Sequence, residues 1–178
     1  KISEIGFNLY HDLLKRTIHA IKNNKQLDIK EALTEEVEIN PGIACIIPDT
    51  YLPDVHERLI LYKRIASANN EEELKDLKIE MIDRFGLLPD STSNLFESSS
   101  LKNYSNDIGV LKINIYDDKA EITLNEKNSI DASKIINLIQ TQPTQYQLKN
   151  QNTIVINEYM EPDMSRISKI SKLLSTIA

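Results

Sequence analysis

Apolar positions recur at helical spacing through the middle of the chain and switch to strict alternation after it. The stretch Tyr51 to Asp90, YLPDVHERLILYKRIASANNEEELKDLKIEMIDRFGLLPD, predicts two consecutive helices. Asp54, after Pro53, stands where an N-terminal cap is expected. Val55, Leu59, Tyr62 and Ala66 at i, i+4, i+7 and i+11 form one apolar stripe. Asn70 with Glu73 three residues later has the form of a capping box opening the second helix. Leu74, Leu77, Met81 and Phe85 repeat the stripe, and Gly86 followed by Pro89 stops it.

The flanks carry weaker patterns. Residues 4–22 predict an amphipathic helix with Tyr10, Leu13, Leu14, Ile18 and Ile21 on its apolar face, followed by a linker from Asn23 to Lys30. Glu35 to Asn40 and Ile43 to Ile47 read as strands, with a bend at Pro41-Gly42. Ser91 to Ser105 predicts a third helix, although its apolar residues (Leu95, Phe96, Leu101) are sparse.

From Val110 the period becomes two. VLKINIY and AEITLNE alternate around Asp117-Asp118-Lys119, predicting an antiparallel hairpin. Asp131 to Gln140 predicts a helix carrying Ile135, Leu138 and Ile139. Tyr146 to Leu148 and Thr153 to Ile156 predict a second hairpin around Asn150. Pro162 and Asp163 open a last helix with Ile167, Ile170, Leu174 and Ile177 on one side. The whole reads as α+β: a helical segment packed with a mostly antiparallel sheet, closed by a C-terminal helix.

Charge sharpens this picture. The net charge of the 178-residue chain is −6, but residues 1–30 carry six Lys/Arg against three acids and residues 31–100 carry six against fifteen. The acidic surplus therefore belongs to the central helices. Such a surface repels phosphates and complements a basic protein surface. On the second helix Glu72, Asp76, Glu80 and Asp83 line one side with Ile79 among them. Like charges at i, i+4 cost a few tenths of a kcal/mol each, roughly. Arg84 can relieve Glu80, whereas Asp83 has Leu87 at i+4. The face is either a solvated acidic surface or a docking face for a basic partner, with Asp76, Ile79, Glu80 and Asp83 as its residues.

Little else carries chemistry. With four glycines in the chain there is no G-x-x-x-x-G-K-[ST], G-x-G-x-x-G or G-x-S-x-G pattern. His11 and His19 lie eight apart without the ligand set zinc needs. His56 with Asp54 or Glu57 resembles a base and its orienter, but no third group at matching spacing supports catalysis. One cysteine, Cys45 in IACIIP, excludes an internal disulfide and reads as a buried small hydrophobe. No apolar run approaches the ~18 residues of a membrane span. Neither a metal nor another cofactor is expected.

IGFNLYHDLL, YLPDVHERLILYKRIASA, EMIDRFGLLPD and EKNSIDASKIINLIQTQPTQYQL together, in this order, closely resemble the carboxy-terminal part of the bacterial transcription-repair coupling factors, the Mfd family. The resemblance runs from about Ile5 to the end. It implies that residues 1–26 hold the last helix of a preceding DNA-translocating ATPase motor plus linker, and that 27–178 form the terminal regulatory domain. In the family this domain folds back on an amino-terminal module similar to part of the damage-verifying repair helicase. That contact masks the surface recruiting UvrA and restrains the motor until a stalled RNA polymerase is engaged. The resemblance thus implies a bacterial cytoplasmic, non-catalytic fragment that does not itself hydrolyse ATP. Glu80 and Asp83 in EMIDRF match the acidic positions the family sets against arginines of the masked module, with Asp76 and Ile79 at the edge. One departure is Ile108-Gly109-Val110-Leu111-Lys112 where relatives often read L-G-I-R-K; another is a shorter hairpin turn. A direct nucleic-acid-binding role is the alternative, left some room by the basic first thirty residues. A small hydrolase using His56 is a third.

Overall fold

A computed structural model describes residues 36–178. The helix expected over 4–22, the linker after it, His11, His19, Glu35 and the domain boundary at 26/27 lie outside the described residues. The chain divides into two units: Ala44–Phe96 with Glu36 belongs to one, Val37–Ile43 with Glu97–Ala178 to the other.

The first unit is built on helices α1 (Val55–Ser67) and α2 (Glu71–Phe85), with the opening turns of α3 (Asp90–Ile108). Both predicted caps form. The Glu57 N–H donates to Asp54 Oδ1 at 3.1 Å, and the Glu73 N–H to Asn70 Oδ1 at 2.9 Å, satisfying orphan first-turn donors. The Glu73 carboxylate reaches back to the N–H of Asn69 at 2.8 Å, one residue before the partner a capping box supplies. The stripe of α2 is as expected: Leu74, Leu77 and Met81 are buried. That of α1 is rotated. Leu61, Tyr62 and Ile65 are buried, whereas Val55 and Ala66 are exposed. Because α1 carries apolar residues on more than one face, the packing partner rather than the period selects which is covered.

Ile43 to Ile47 is not a strand. A strand needs a ladder, and here side chains and one helix carbonyl take the backbone groups instead. The Ile46 N–H donates to Ser91 O (3.1 Å) and the Ile47 N–H to Tyr62 Oη (2.6 Å). Thr92 Oγ1 donates to Ile46 O (2.9 Å) and Asn94 Nδ2 to Ala44 O (3.0 Å). Cys45 and Ile47 are buried in this segment. Burial pushes the Cys45 thiol up to about 12, so it serves as an inert hydrophobe. Helix α3 is longer than its sequence pattern suggested and runs through the triple serine, with Leu95, Phe96 and Leu101 buried.

The second unit is a five-stranded sheet of β1 (Glu38–Asn40), β2 (Val110–Ile115), β3 (Ala120–Leu124), β4 (Tyr146–Lys149) and β5 (Thr153–Ile156), in the order β1-β2-β3-β5-β4. Both predicted hairpins form, and only β1 pairs in parallel, Ile39 opposite Ile113. Ile113, Ile115, Ala120, Ile122, Ile154 and Ile156 supply the buried face. Helix α5 (Met164–Ile177) closes it with Ile167, Ile170, Leu174 and Ile177, as the spacing predicted. Helix α4 (Ala132–Thr141) contributes Ile135 and Leu138 from its rim. Asp131 and Asp163 cap α4 and α5.

At the departure from the family pattern, Leu111 lies at an irregularity in the β2–β3 register. Gly109 before it has φ +86°, and a Cβ there would fall 2.5 Å from Lys127 O. Only glycine fits.

A buried cation locks the second unit. Arg166 on α5 is 1% exposed and spends its guanidinium on neighbouring loops. Nε donates to Glu161 O (2.9 Å), Nη1 to Pro41 O (3.1 Å), and Nη2 to Met160 O (2.8 Å) and Asp117 Oδ1 (2.7 Å). The planar, multi-donor fork suits several fixed acceptors at once. Gly42 at φ +69° lets the backbone approach: a Cβ there would lie 2.5 Å from Ile115 O and 2.8 Å from Arg166 Nη1.

Candidate protein-docking surface

Helix α2 presents two faces because its sequence alternates leucines with acids at a period of 3.6. With Leu74, Leu77 and Met81 facing inward, Glu72, Asp76, Ile79 and Asp83 face solvent, and Ile79 is 48% exposed. Glu72, Asp76 and Asp83 make no ion pair among the described residues. Three of the four sequence-predicted site residues are thus displayed together around an apolar centre.

Glu80 behaves differently. It turns to α1 and pairs with Arg64, so its relief does not come from Arg84. Arg84 pairs instead with Glu57 at 2.6 Å and lies 4.7 Å over the Phe85 ring. Both pairs cross from α2 to α1, which a pattern read along single helices does not reveal. Arg64 and Glu80, with Ser67, Ala68, Glu73, Asp76 and Leu77, line an open groove of about 440 Å³. Its lining sets three carboxylates, Glu73, Asp76 and Glu80, against the one guanidinium of Arg64.

Sequence reasoning missed how firmly the end of α2 is held. Tyr51 Oη donates to Gly86 O at 2.8 Å and lies 3.2 Å from Met81 O; its ring meets Phe85 edge-on at 6.0 Å. The signal for it, a tyrosine two residues before Pro53, is too common to single out.

The other chemical candidates disperse. His56 is exposed on α1; Asp54 is engaged as the α1 cap and Glu57 in the pair with Arg84, so neither is free to orient it. Among the described residues no group of three or more His, Cys, Asp or Glu could hold a metal ion. None of their helices is long and apolar enough to cross a membrane. On the sheet, Lys112 pairs with Glu38 at 3.5 Å, and Lys119 and Lys149 each lie 3.6 Å from Glu121.

A family model described as the TRCF domain matches residues 42–135. The transcription-repair-coupling factor of Escherichia coli (strain K12) is 32% identical over 170 residues, 96% of this chain and 15% of that protein. That of Haemophilus influenzae (strain ATCC 51907 / DSM 11121 / KW20 / Rd) is 34% identical over 178 residues, 100% of this chain and 16% of the relative. The chain therefore spans only 15–16% of the length of these relatives. A solved structure described as the C-terminal domain of transcription-repair coupling factor shares the fold, with a TM-score of 0.61 at 20% identity, over 79% of this chain and 95% of the other. The matched segment takes in α1, α2, α3 and the first hairpin, and by it the chain belongs to the TRCF domain family of the transcription-repair-coupling factors.

Proposed function

We propose that this chain is a non-catalytic regulatory domain of a transcription-repair-coupling DNA translocase. It holds the parent enzyme autoinhibited by docking the outer face of α2 on the amino-terminal repair-helicase-like module. Docking masks the surface that recruits UvrA, and engagement of a stalled RNA polymerase releases it. The observation that carries this reading is the exposed Ile79 set among Glu72, Asp76 and Asp83, three carboxylates without an ion-pair partner among the described residues. A basic surface complements such a face, and the arrangement of an apolar centre with a charged rim is that of a protein interface.

The energetics fit a switch. Rim ion pairs are worth about 0–1 kcal/mol each. A few of them with one apolar contact give a closed state that a competing partner can open. The Arg64–Glu80 pair lets Glu80 act from the edge, exchanging its internal partner for an external one.

The test uses the full-length parent protein carrying Asp76→Arg with Asp83→Arg. Both ATPase rate and UvrA binding should rise, while the melting temperature of this chain stays unchanged. If both activities hold at wild-type levels, the docking face is elsewhere. The alternative, an accessory nucleic-acid-binding domain, is disfavoured by the acidic α2 face and by the carboxylates paired with Lys112, Lys119 and Lys149. Salt-dependent DNA binding by this chain would favour it.

A further inference from the structure

Immediately beyond α2 stands the most exposed large apolar side chain among the described residues: Leu87, 85% exposed. Single exposed leucines are ordinary. Leu87 differs in how its backbone is held. Gly86 before it turns the chain at φ +96°, with its N–H donating to Ile82 O at 2.9 Å and its carbonyl accepting from Tyr51 Oη at 2.8 Å. After it, Pro89 O accepts the N–H groups of Thr92 and Ser93, both at 3.0 Å, at the start of α3. The last turn of α2 is in turn tied to α1 through Arg84 and Glu57. With Gly86 and Pro89 held on either side, covering Leu87 costs less backbone freedom than covering a leucine on a loose loop.

Its place relative to the acids completes the argument. Leu87 follows Asp83 by four positions and stands two residues beyond the end of α2, past the turn at Gly86. Interfaces draw most of their energy from a few well-buried residues and their orientation from surrounding charge. We propose that Leu87 is the apolar anchor of the α2 docking surface. Its partner is a basic surface containing an apolar recess, next to the cationic groups that meet Asp76 and Asp83. This inference rests on the docking reading above and names what that reading lacked, an apolar contact beyond Ile79.

The experiment measures UvrA affinity in full-length parent proteins carrying Leu87→Ser, Leu87→Met or Asp83→Arg. Removing the anchor should weaken docking roughly tenfold. When the closed state dominates, apparent UvrA affinity rises by a similar factor, because it scales with the open fraction. Leu87→Met, which keeps the apolar surface, should stay near wild type. If Asp83→Arg raises UvrA affinity and Leu87→Ser does not, the anchor is overturned and the acidic docking face stands. If Leu87→Ser raises it and Asp83→Arg does not, the anchor stands without the charge contribution. If neither variant changes it, both fall. A drop in the melting temperature of Leu87→Ser would make the residue structural, and would likewise overturn the proposal.

Discussion

The two units use charge in opposite ways. In the sheet unit one cation, Arg166, is taken out of water and surrounded by four carbonyls and one carboxylate, and nothing of it reaches the surface. In the helical unit the acids of α2 stay in water, and those on its outer face have no ion-pair partner among the described residues. A buried ion with fixed partners is costly to disturb and specifies structure. Exposed carboxylates contribute almost nothing to stability and are free to meet a partner. The difference separates residues that hold the domain together from residues that can give it a function.

The sharpest test of this contrast is Arg166→Met. The aliphatic volume is retained, but the carbonyls of Pro41, Met160 and Glu161 lose their donor. Urea denaturation should show a loss of about 2–3 kcal/mol, since an orphaned buried acceptor costs about 1–3 kcal/mol and of the three the Met160 carbonyl is fully buried. A loss under 1 kcal/mol would mean that water replaces the guanidinium.

Next come the glycines. Gly42→Ala puts a methyl 2.5 Å from Ile115 O in a left-handed conformation, and should cost about 2–3 kcal/mol. Gly86→Ala meets no atom within 4 Å, so only the backbone remains, but φ +96° with ψ −174° is a region essentially reserved for glycine and should cost about 1–3 kcal/mol. Thermal melts check both, and a Gly42→Ala loss under about 1 kcal/mol would contradict the close packing of Gly42 on Ile115.

Smaller still is the response to acid. Hydrogen bonds from Ser133 and Ser165 hold the Asp131 and Asp163 carboxyls below the usual carboxylate value. A depressed folded-state value makes a stabilising contribution that is complete above the ordinary value and lost as pH falls through the depressed one. Asp131→Asn with Asp163→Asn should therefore flatten the melting curve's dependence on pH below about 4, the ordinary carboxylate range. The outer face of α2 is last: Asp76→Arg with Asp83→Arg should leave stability within about 0.5 kcal/mol of wild type.

Much of this was readable from the residues alone. Caps at Asp54 and Asn70 and the helix start at Asp163 are local chemistry, and so are the alternation of VLKINIY and the stripe of α5. What depends on a partner distant in sequence was not. The covered face of α1 is chosen by packing, so Val55 and Ala66 stand exposed where a single period placed them inside. Ile43 to Ile47 has the composition of a strand, but Tyr62, Ser91, Thr92 and Asn94 take its backbone groups. Arg166 in SRISK looks like any solvated helix arginine until Pro41 and Gly42, 125 and 124 residues away, join its nearer acceptors. Of the candidate site, the acids were legible as a helical face. The Arg64–Glu80 pair and the held loop presenting Leu87 needed the three-dimensional arrangement.

The central claim, that the outer face of α2 is a docking surface rather than a solvated one, is tested most directly by titrating this chain against the separately produced amino-terminal module. Fluorescence anisotropy at low and at physiological salt would follow the binding. The account predicts binding that weakens with salt and falls at least tenfold on Asp76→Arg with Asp83→Arg. Binding of equal strength for wild type and variant at both salt concentrations would contradict it.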